Sequence, residues 1–257
     1  MRKMTAILLA MTFAGPAFSQ GDAKAVIQKA IDAHGGKEKI DKYPAAISKF
    51  KGEMSVSGLD MTFEGKGAQG PNQYKIELVA DVAGQKLTIS QAVDGGKVKV
   101  KAMLAGMMLP QPEDEAAMEE LKFALVNQEI SQLTPLIANV KKYSIKSGPD
   151  EDVDGKKAAT VDVTVKMDGD KTKEVKLFFD KESSLLVKYS RKGLSPGAGD
   201  GKEALQESVM SDFKVIEGVK VPMKVVNYSD GKKFMSMTQV EYKLLEKLDP
   251  KDVKIDD

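Results

Sequence analysis

The chain has 257 residues, 42% of them hydrophobic and 30% charged, so it is long enough to bury one sizeable core. Its 39 basic and 38 acidic residues give a net charge of +1. Because both signs are interspersed, no basic field accumulates that would favour nucleic acid. With no cysteine and one histidine, the chain cannot form disulfides, thiolate metal sites, iron–sulfur clusters, a cysteine nucleophile or a paired-histidine metal site.

The N-terminus has the three parts of a secretory signal peptide, which we assign to residues 1–19. Arg2 and Lys3 precede an apolar run over residues 4–14, and small residues stand at the −3 and −1 places of a cleavage site that ends at Ser19. The apolar run is shorter than the ~20 residues needed to span a bilayer. We therefore expect cleavage after Ser19, no membrane span and a periplasmic protein, with full secretion as the alternative.

The first element of the mature chain is a short amphipathic helix over residues 23–34. Its apolar residues recur at helical spacing, and Gly35-Gly36 supplies the stop and the left-handed cap that commonly end a helix. The apolar positions are Ala23, Val26, Ile27, Ala30, Ile31 and Ala33.

After Tyr43-Pro44 the apolar period changes to two, which predicts strands with one apolar and one polar face. Residues 49–57, 74–78 and 97–101 alternate in this way. We count roughly ten strands in the whole chain, and expect so large an antiparallel sheet to curl. The second half contributes the alternating series Val161, Val163 and Val165; Val175, Leu177 and Phe179; Val221, Met223 and Val225; and Phe234, Ser236, Thr238, Val240 and Tyr242.

A different segment separates the two sets of strands. Residues 104–109 are apolar, and the acidic residues 113–115 begin a helix at the end where negative charge suits the helix dipole. Helical spacing continues over residues 118–137, with Pro135 marking a bend or a new start. Because these helices need a surface to cover and a curled sheet needs a filled interior, we place both helical segments inside the curl.

Candidates for catalysis are few. His34 is the sole possible imidazole base, and its place at the end of a helix favours capping over catalysis. No serine lies in a Gly-x-Ser-x-Gly elbow, so a hydrolase would rest on His34 and scattered carboxylates. We predict no catalytic residue.

Two charged motifs also have ordinary structural interpretations. Residues 150–155 match the first half of a calcium loop, but Val161 stands where a bidentate glutamate should close it, so we interpret the motif as an acidic hairpin turn. Lys97, Lys99 and Lys101 alternate along a strand, which indicates an exposed face that blunts edge aggregation more than an anion site. We predict no metal site.

The methionines are more informative about a ligand. Several lie between residues 103 and 118, in a segment interrupted by glycine and proline, and thioethers suit surfaces that accept variable apolar shapes. We predict that this segment is a movable lid over an apolar cavity. The predicted ligand contacts are Met54, Met103, Leu104, Met107, Met108, Leu109, Met118, Leu121 and Leu125.

Several strings resemble the exported LolA-like proteins, often labelled outer-membrane lipoprotein-sorting proteins. The resemblance covers nearly all of the mature chain, and its markers are turns and strand starts. They are Ala33-His34-Gly35-Gly36, Leu177-Phe178-Phe179-Asp180-Lys181-Glu182, Leu185-Leu186-Val187-Lys188, Ser211-Asp212-Phe213-Lys214, Gly218-Val219-Lys220-Val221-Pro222 and Lys247-Leu248-Asp249-Pro250.

The resemblance implies an α+β fold over residues 20–257, in one domain: an unclosed antiparallel β-barrel of roughly eleven strands wrapped around internal helices. It also implies an apolar interior under a helical lid that receives lipid or lipoprotein acyl chains, with no cofactor. Carriers of this kind latch the lid with an arginine on an early strand, whereas this chain has only Arg2 and Arg191. Lys49 or Lys51 would have to substitute, without the planar fork of a guanidinium.

The resemblance and the absence of catalytic groups favour a noncatalytic periplasmic binding or shuttle protein for acyl chains. The alternative is an envelope-stress sensor or protein-interaction module of the same fold, which would have an envelope protein as its partner.

Overall fold

The computed structural model describes residues 20–56, 58–110, 115–167, 169, 171–195 and 202–254. The predicted signal peptide lies outside these residues. Within the described ranges, no helix is both long and apolar enough to cross a membrane.

Helices and strands follow the predicted order. The helices are α1 (Gln20–His34), α2 (Lys37–Lys42), α3 (Glu115–Ser131), α4 (Thr134–Ala138) and α5 (Pro250–Val253). The strands are β1 (Ala45–Val56), β2 (Leu59–Gly70), β3 (Gln73–Val82), β4 (Gln85–Asp94), β5 (Lys97–Leu104), β6 (Met107–Met108), β7 (Tyr143–Ser147), β8 (Glu151–Val153), β9 (Lys156–Lys166), β10 (Thr172–Asp180), β11 (Leu186–Leu194), β12 (Glu203–Ile216), β13 (Val219–Ser229) and β14 (Lys232–Leu245).

The described strands form one antiparallel sheet in the order β6-β5-β4-β3-β2-β1-β14-β13-β12-β11-β10-β9-β7, with β8 paired beside β9. The terminal strands β6 and β7 do not pair with each other, so the sheet is unclosed. This confirms the predicted α+β fold class and the unclosed antiparallel barrel. The sheet has fourteen strands where we expected ten or eleven, and β6 and β8, of two and three residues, are too short to show a period.

Strand register determines which residues face the interior, because residues paired directly across strands share a face. One continuous row crosses six strands, and its paired residues are Met237, Gly52, Phe63, Ala80, Leu87 and Leu104. Phe63 and Ala80 in this row are buried. The row lies on the concave face of the sheet. The residues next to its members along each strand, such as Lys51 and Thr238, point outward.

The main core lies between α1, α3 and the second half of the sheet. Ile27 and Ile31 of α1 pack with Phe123 of α3 and with Val163 and Leu177 of the sheet, all nearly inaccessible to solvent. Burying each such side chain contributes about 1.5–3 kcal/mol of transfer free energy. This confirms that both helical segments lie against the concave side.

Two sequence-based details were wrong or missed. The sequence analysis did not identify α2, which forms between Gly36 and Tyr43 and buries Ile40. We also predicted one unbroken alternation along β14, but the pairing skips Val240, which forms a bulge and is 57% exposed. The bulge shifts the phase, so that Gln239 and Tyr242 both face inward.

Candidate functional site

The concave face and α3 line a partly open cavity of about 540 Å³. This volume is in the range of small-molecule sites in proteins, about 300–1,000 Å³. Strands β1 to β3 and β11 to β14 contribute to its wall, and α3 lies across it. The apolar part of the described lining includes Ala46, Ile76, Ala124, Met210, Phe213, Val225, Met235, Met237 and Leu244.

Most of the other side chains in the lining are polar but uncharged. Its described residues include no aspartate or glutamate, and its cations are Arg191 and Lys220. The amides and phenols of the lining are Gln69, Tyr74, Asn127, Gln128, Gln132, Tyr189, Gln206, Asn227, Gln239, Tyr242 and Tyr43. The site is therefore apolar with a band of uncharged hydrogen-bonding groups.

Helix α3 is fastened to the second half of the sheet by Arg191 of β11. The guanidinium is bound by the Glu120 carboxylate and lies 4.7 Å from the centre of the Phe123 ring. The two ionised side chains are only 12% and 25% exposed, which makes this contact stronger than an ordinary surface ion pair. Nearby, the Lys171 ammonium pairs with Glu119.

The other end of α3 is fastened to the first half of the sheet. The Gln128 side-chain amide donates to the carbonyl of Gly70 at 2.9 Å, and the Gln132 amide donates to the carbonyl of Pro44 at 3.0 Å. Helix α3 therefore bridges both halves of the curled sheet.

Arg191, and not a lysine of an early strand, holds α3 against the sheet. Lys49 is exposed and pairs with Glu241 at 2.9 Å, while Lys51 is exposed on the outer face. The sequence left open whether Lys49 or Lys51 replaces a latching arginine, and neither lysine reaches α3 in the described structure.

Two buried phenols of the wall, Tyr74 and Tyr242, stay protonated. Burial raises the pKa of Tyr242 to about 12, and burial together with the nearby Tyr189 phenol raises the pKa of Tyr74 to about 12. The Gln69 amide donates to the Tyr242 oxygen at 3.2 Å, which leaves the Tyr242 hydroxyl hydrogen available. Each of these groups can donate and accept hydrogen bonds without carrying charge.

Two amide oxygens in the lining have no partner among the described residues. They are Oε1 of Gln128 and Oε1 of Gln239, both shielded from solvent. A buried acceptor without a hydrogen bond costs about 1–3 kcal/mol. A donor brought in beside these side chains would recover part of this cost after a small rotation of the terminal amide.

His34 is a structural residue of the same wall. Its Nδ1–H donates to the Lys220 carbonyl at 2.9 Å, and its Nε2 accepts from the Leu186 backbone N–H at 3.2 Å. Only the neutral ring can make both bonds, and burial lowers its pKa. His34 thus ties the end of α1 to β11 and β13, and it does not cap its own helix.

None of the nine predicted contact residues is in the described lining of this cavity. Met103 and Leu104 point to opposite faces of β5, because Met103 pairs with Thr88 and Leu104 pairs with Leu87. Met108 pairs with Met103 on the outward side and is 56% exposed.

The inward-facing members of the predicted set lie beside the cavity. Leu104 shares the concave face, and Met107 is paired with it. Met54 belongs to a partly buried cluster around Phe50 and Phe63 that also contains the cavity residues Ile76, Met235 and Met237.

The remaining predicted contacts are only partly buried. They are Leu109, Met118, Leu121 and Leu125. The face of α3 that is buried instead carries Phe123, Val126 and Ile130. A role of the predicted residues in ligand contact stays a prediction.

The acidic hairpin has no convergent carboxylates. Asp150 pairs with Lys181 at 2.6 Å, and Asp152 pairs with Lys157 at 3.0 Å. The turn residue Asp154 has φ 49°, as a tight Asp-Gly hairpin requires. Among the described residues, no three side chains of the kinds that ligate metals come together.

Comparison with known proteins gives similarity at the level of structure alone. No family model matches the chain, and no curated protein matches it. A DUF1329 family protein from Desulfovibrio piger aligns with a TM-score of 0.52 and 13% identity, over 86% of this chain and 92% of that chain.

Two further solved structures align at a TM-score of 0.49. One is a domain described as an outer-membrane lipoprotein-sorting protein from Vibrio parahaemolyticus, with 10% identity; the other is a LolA superfamily protein from Nitrosomonas europaea, with 12% identity. Both alignments cover 91% of this chain and 97% of the other. The likeness to the Desulfovibrio piger protein shows a shared fold, and the resemblance to LolA-like proteins inferred from the sequence is consistent with it at that level.

Proposed function

We propose that this protein is a noncatalytic periplasmic binding or carrier protein for lipid or lipoprotein acyl chains, held in the cavity under α3. The observation that carries the proposal is the cavity itself: about 540 Å³, lined by methionine, valine and phenylalanine side chains at one end. A carrier needs enclosed apolar volume, and each buried CH₂ group of a chain contributes about 0.8 kcal/mol before ordering costs.

The same cavity offers little for catalysis. His34 has both ring nitrogens engaged by backbone groups, and the described lining includes no carboxylate that would act as a base. A binding role needs neither an acid nor a base, and the engaged ring of His34 is consistent with it.

We also propose that chains enter past the inward-facing members of the predicted set. Met54, Leu104 and Met107 lie on the concave side, and the partly buried cluster around Met54 is continuous with the cavity through Met235 and Met237. Partly buried methionines suit such a path because they accommodate varied apolar shapes.

The proposal is tested by calorimetric titration with monoacylglycerols of eight, ten and twelve carbons. Affinity should rise with each CH₂ group, by at most about fourfold, the equivalent of ~0.8 kcal/mol. Val225→Asp places a carboxylate in the cavity wall, and should weaken binding tenfold or more because the ligand would desolvate the charge.

Met108→Asp is the matched control, since Met108 is exposed on the outward side of the sheet. It should bind like the parent, with circular dichroism confirming that both variants fold. Affinity that ignores chain length, or a folded Val225→Asp protein that binds normally, would overturn the proposal and favour the protein-interaction alternative.

A further inference from the structure

We infer that the cavity selects a neutral, hydroxyl-bearing head group attached to the acyl chain, of the kind found in acylglycerols and glycolipids, over a free carboxylate. The inference rests on the proposed function and names the class of its ligand. It starts from the lining, where neutral amides and phenols far outnumber charged side chains and the described residues include no carboxylate.

Of the two cations of the lining, Arg191 is already engaged and is poorly placed to hold an anionic head group. The Arg191 guanidinium is already bound by Glu120 and lies against Phe123. A ligand carboxylate would have to displace Glu120 and so loosen the lid, or else recruit Lys220. An unpaired carboxylate in such a site carries a large desolvation cost.

The neutral groups, by contrast, suit hydroxyls. The protonated Tyr242 phenol receives a hydrogen bond from Gln69 and keeps a donor, because burial raises its pKa. The amide oxygens of Gln128 and Gln239 lack hydrogen-bond donors among the described residues. A head group with two or more hydroxyls supplies both donors and acceptors to such a band.

The positions of these polar groups along β14 support the same class of ligand. Gln239 lies two residues after Met237 on the concave face of β14, and Tyr242 follows after the bulge at Val240. One strand thus passes from an apolar surface to a polar one within the cavity. An acyl chain against Met235 and Met237 would leave its head group beside Gln239 and Tyr242.

The test compares three ligands with the same twelve-carbon chain by calorimetry at pH 8: monododecanoylglycerol, dodecyl glucoside and dodecanoate. At least one of the two neutral ligands should bind ten times more tightly than dodecanoate. The stronger of the two identifies the source of the head group, glycerol or sugar.

Gln239→Leu and Tyr242→Phe should each reduce this preference to threefold or less, while dodecanoate affinity stays within twofold of the parent. Thr238→Val removes a polar group from the outward side of the same strand, and should leave all affinities unchanged. Circular dichroism and a melting curve establish that each variant folds.

Equal affinity for dodecanoate and the neutral ligands would overturn the inference and leave the acyl-chain proposal standing. Tighter binding of dodecanoate, lost in Lys220→Gln, would replace it with a carboxylate site. Binding of none of the three ligands would overturn the proposed function and the inference with it.

Discussion

Breaking the contact between Arg191 and Glu120 should release the N-terminal half of α3 without unfolding the sheet. Arg191→Met keeps an unbranched apolar stem and removes the guanidinium, together with the charge that Glu120 binds and the contact of that group with the Phe123 ring. The remainder of the lid stays fastened by the bonds of Gln128 and Gln132.

The burial of the two side chains sets the size of the effect. Exposed ion pairs contribute about 0–1 kcal/mol, whereas removing one partner of a fully buried pair costs about 3–5 kcal/mol. Side chains that are 12% and 25% exposed lie between these limits, so we expect a loss of about 2 kcal/mol in the local free energy of opening. Hydrogen exchange measured by mass spectrometry should then accelerate about 30-fold over residues 116–122.

A second ion pair on the same strand provides the control. Lys188 pairs with Glu207 at 2.5 Å, with side chains 19% and 18% exposed, and its ammonium lies 4.8 Å from the centre of the Phe178 ring. It is on the outward face, because Lys188 and Arg191 are three residues apart on one strand. Lys188→Met should therefore leave exchange in α3 unchanged. Exchange in α3 that is the same in both variants would refute the assignment of Arg191 as the latch.

Three further predictions concern other parts of the chain. Burial lowers the pKa of His34, so the folded state resists protonation of this ring: its contribution to stability is fully present above the ordinary pKa of 6.5 and is lost as the pH falls below that value. The slope of melting temperature against pH between 7 and 5 should therefore shrink in His34→Gln. An unchanged slope would contradict a buried, neutral His34. Gly65→Ala would press a methyl group against the Phe50 ring and the Glu77 carbonyl oxygen, so the free energy of unfolding should fall by about 1–3 kcal/mol in a urea titration. A loss below about 0.5 kcal/mol would show that both neighbours move aside at little cost. Exported protein should begin at Gln20 by N-terminal sequencing, and an intact leader would remove the signal-peptide prediction.

The alternation of apolar residues predicted most of the fold. Val161, Val163 and Val165 are almost wholly buried, as their spacing indicates, and the glycine pair after His34 ends α1. These features are local, so a single sequence carries them. The prediction for β14 failed because Met235, Met237 and Gln239 face the cavity in place of Ser236 and Thr238, and the bulge at Val240 then returns Tyr242 to the inward face. Nothing in the local pattern marks a bulge.

The site was harder to predict than the fold. The methionine cluster was a reasonable guide to apolar surface, but register places Met103 and Met108 on the outward side, and register depends on pairing between strands. The contact of Arg191 with Glu120 joins positions 71 residues apart. One signal in the sequence indicated the polar part of the site. Gln239 follows Met235 and Met237 at every second position, so an amide stands on a strand face that is otherwise apolar.

Photo-cross-linking shows whether an acyl chain occupies the cavity beneath α3. A monoacylglycerol with a diazirine at the end of its chain would be bound to the protein and irradiated, and the adducts mapped by mass spectrometry of peptides. Adducts are expected on the cavity residues Met210, Val225 and Met237, and an excess of unlabelled ligand should abolish them. Competed adducts confined to the exposed Met107 and Met108, with none in the cavity, would contradict this binding site.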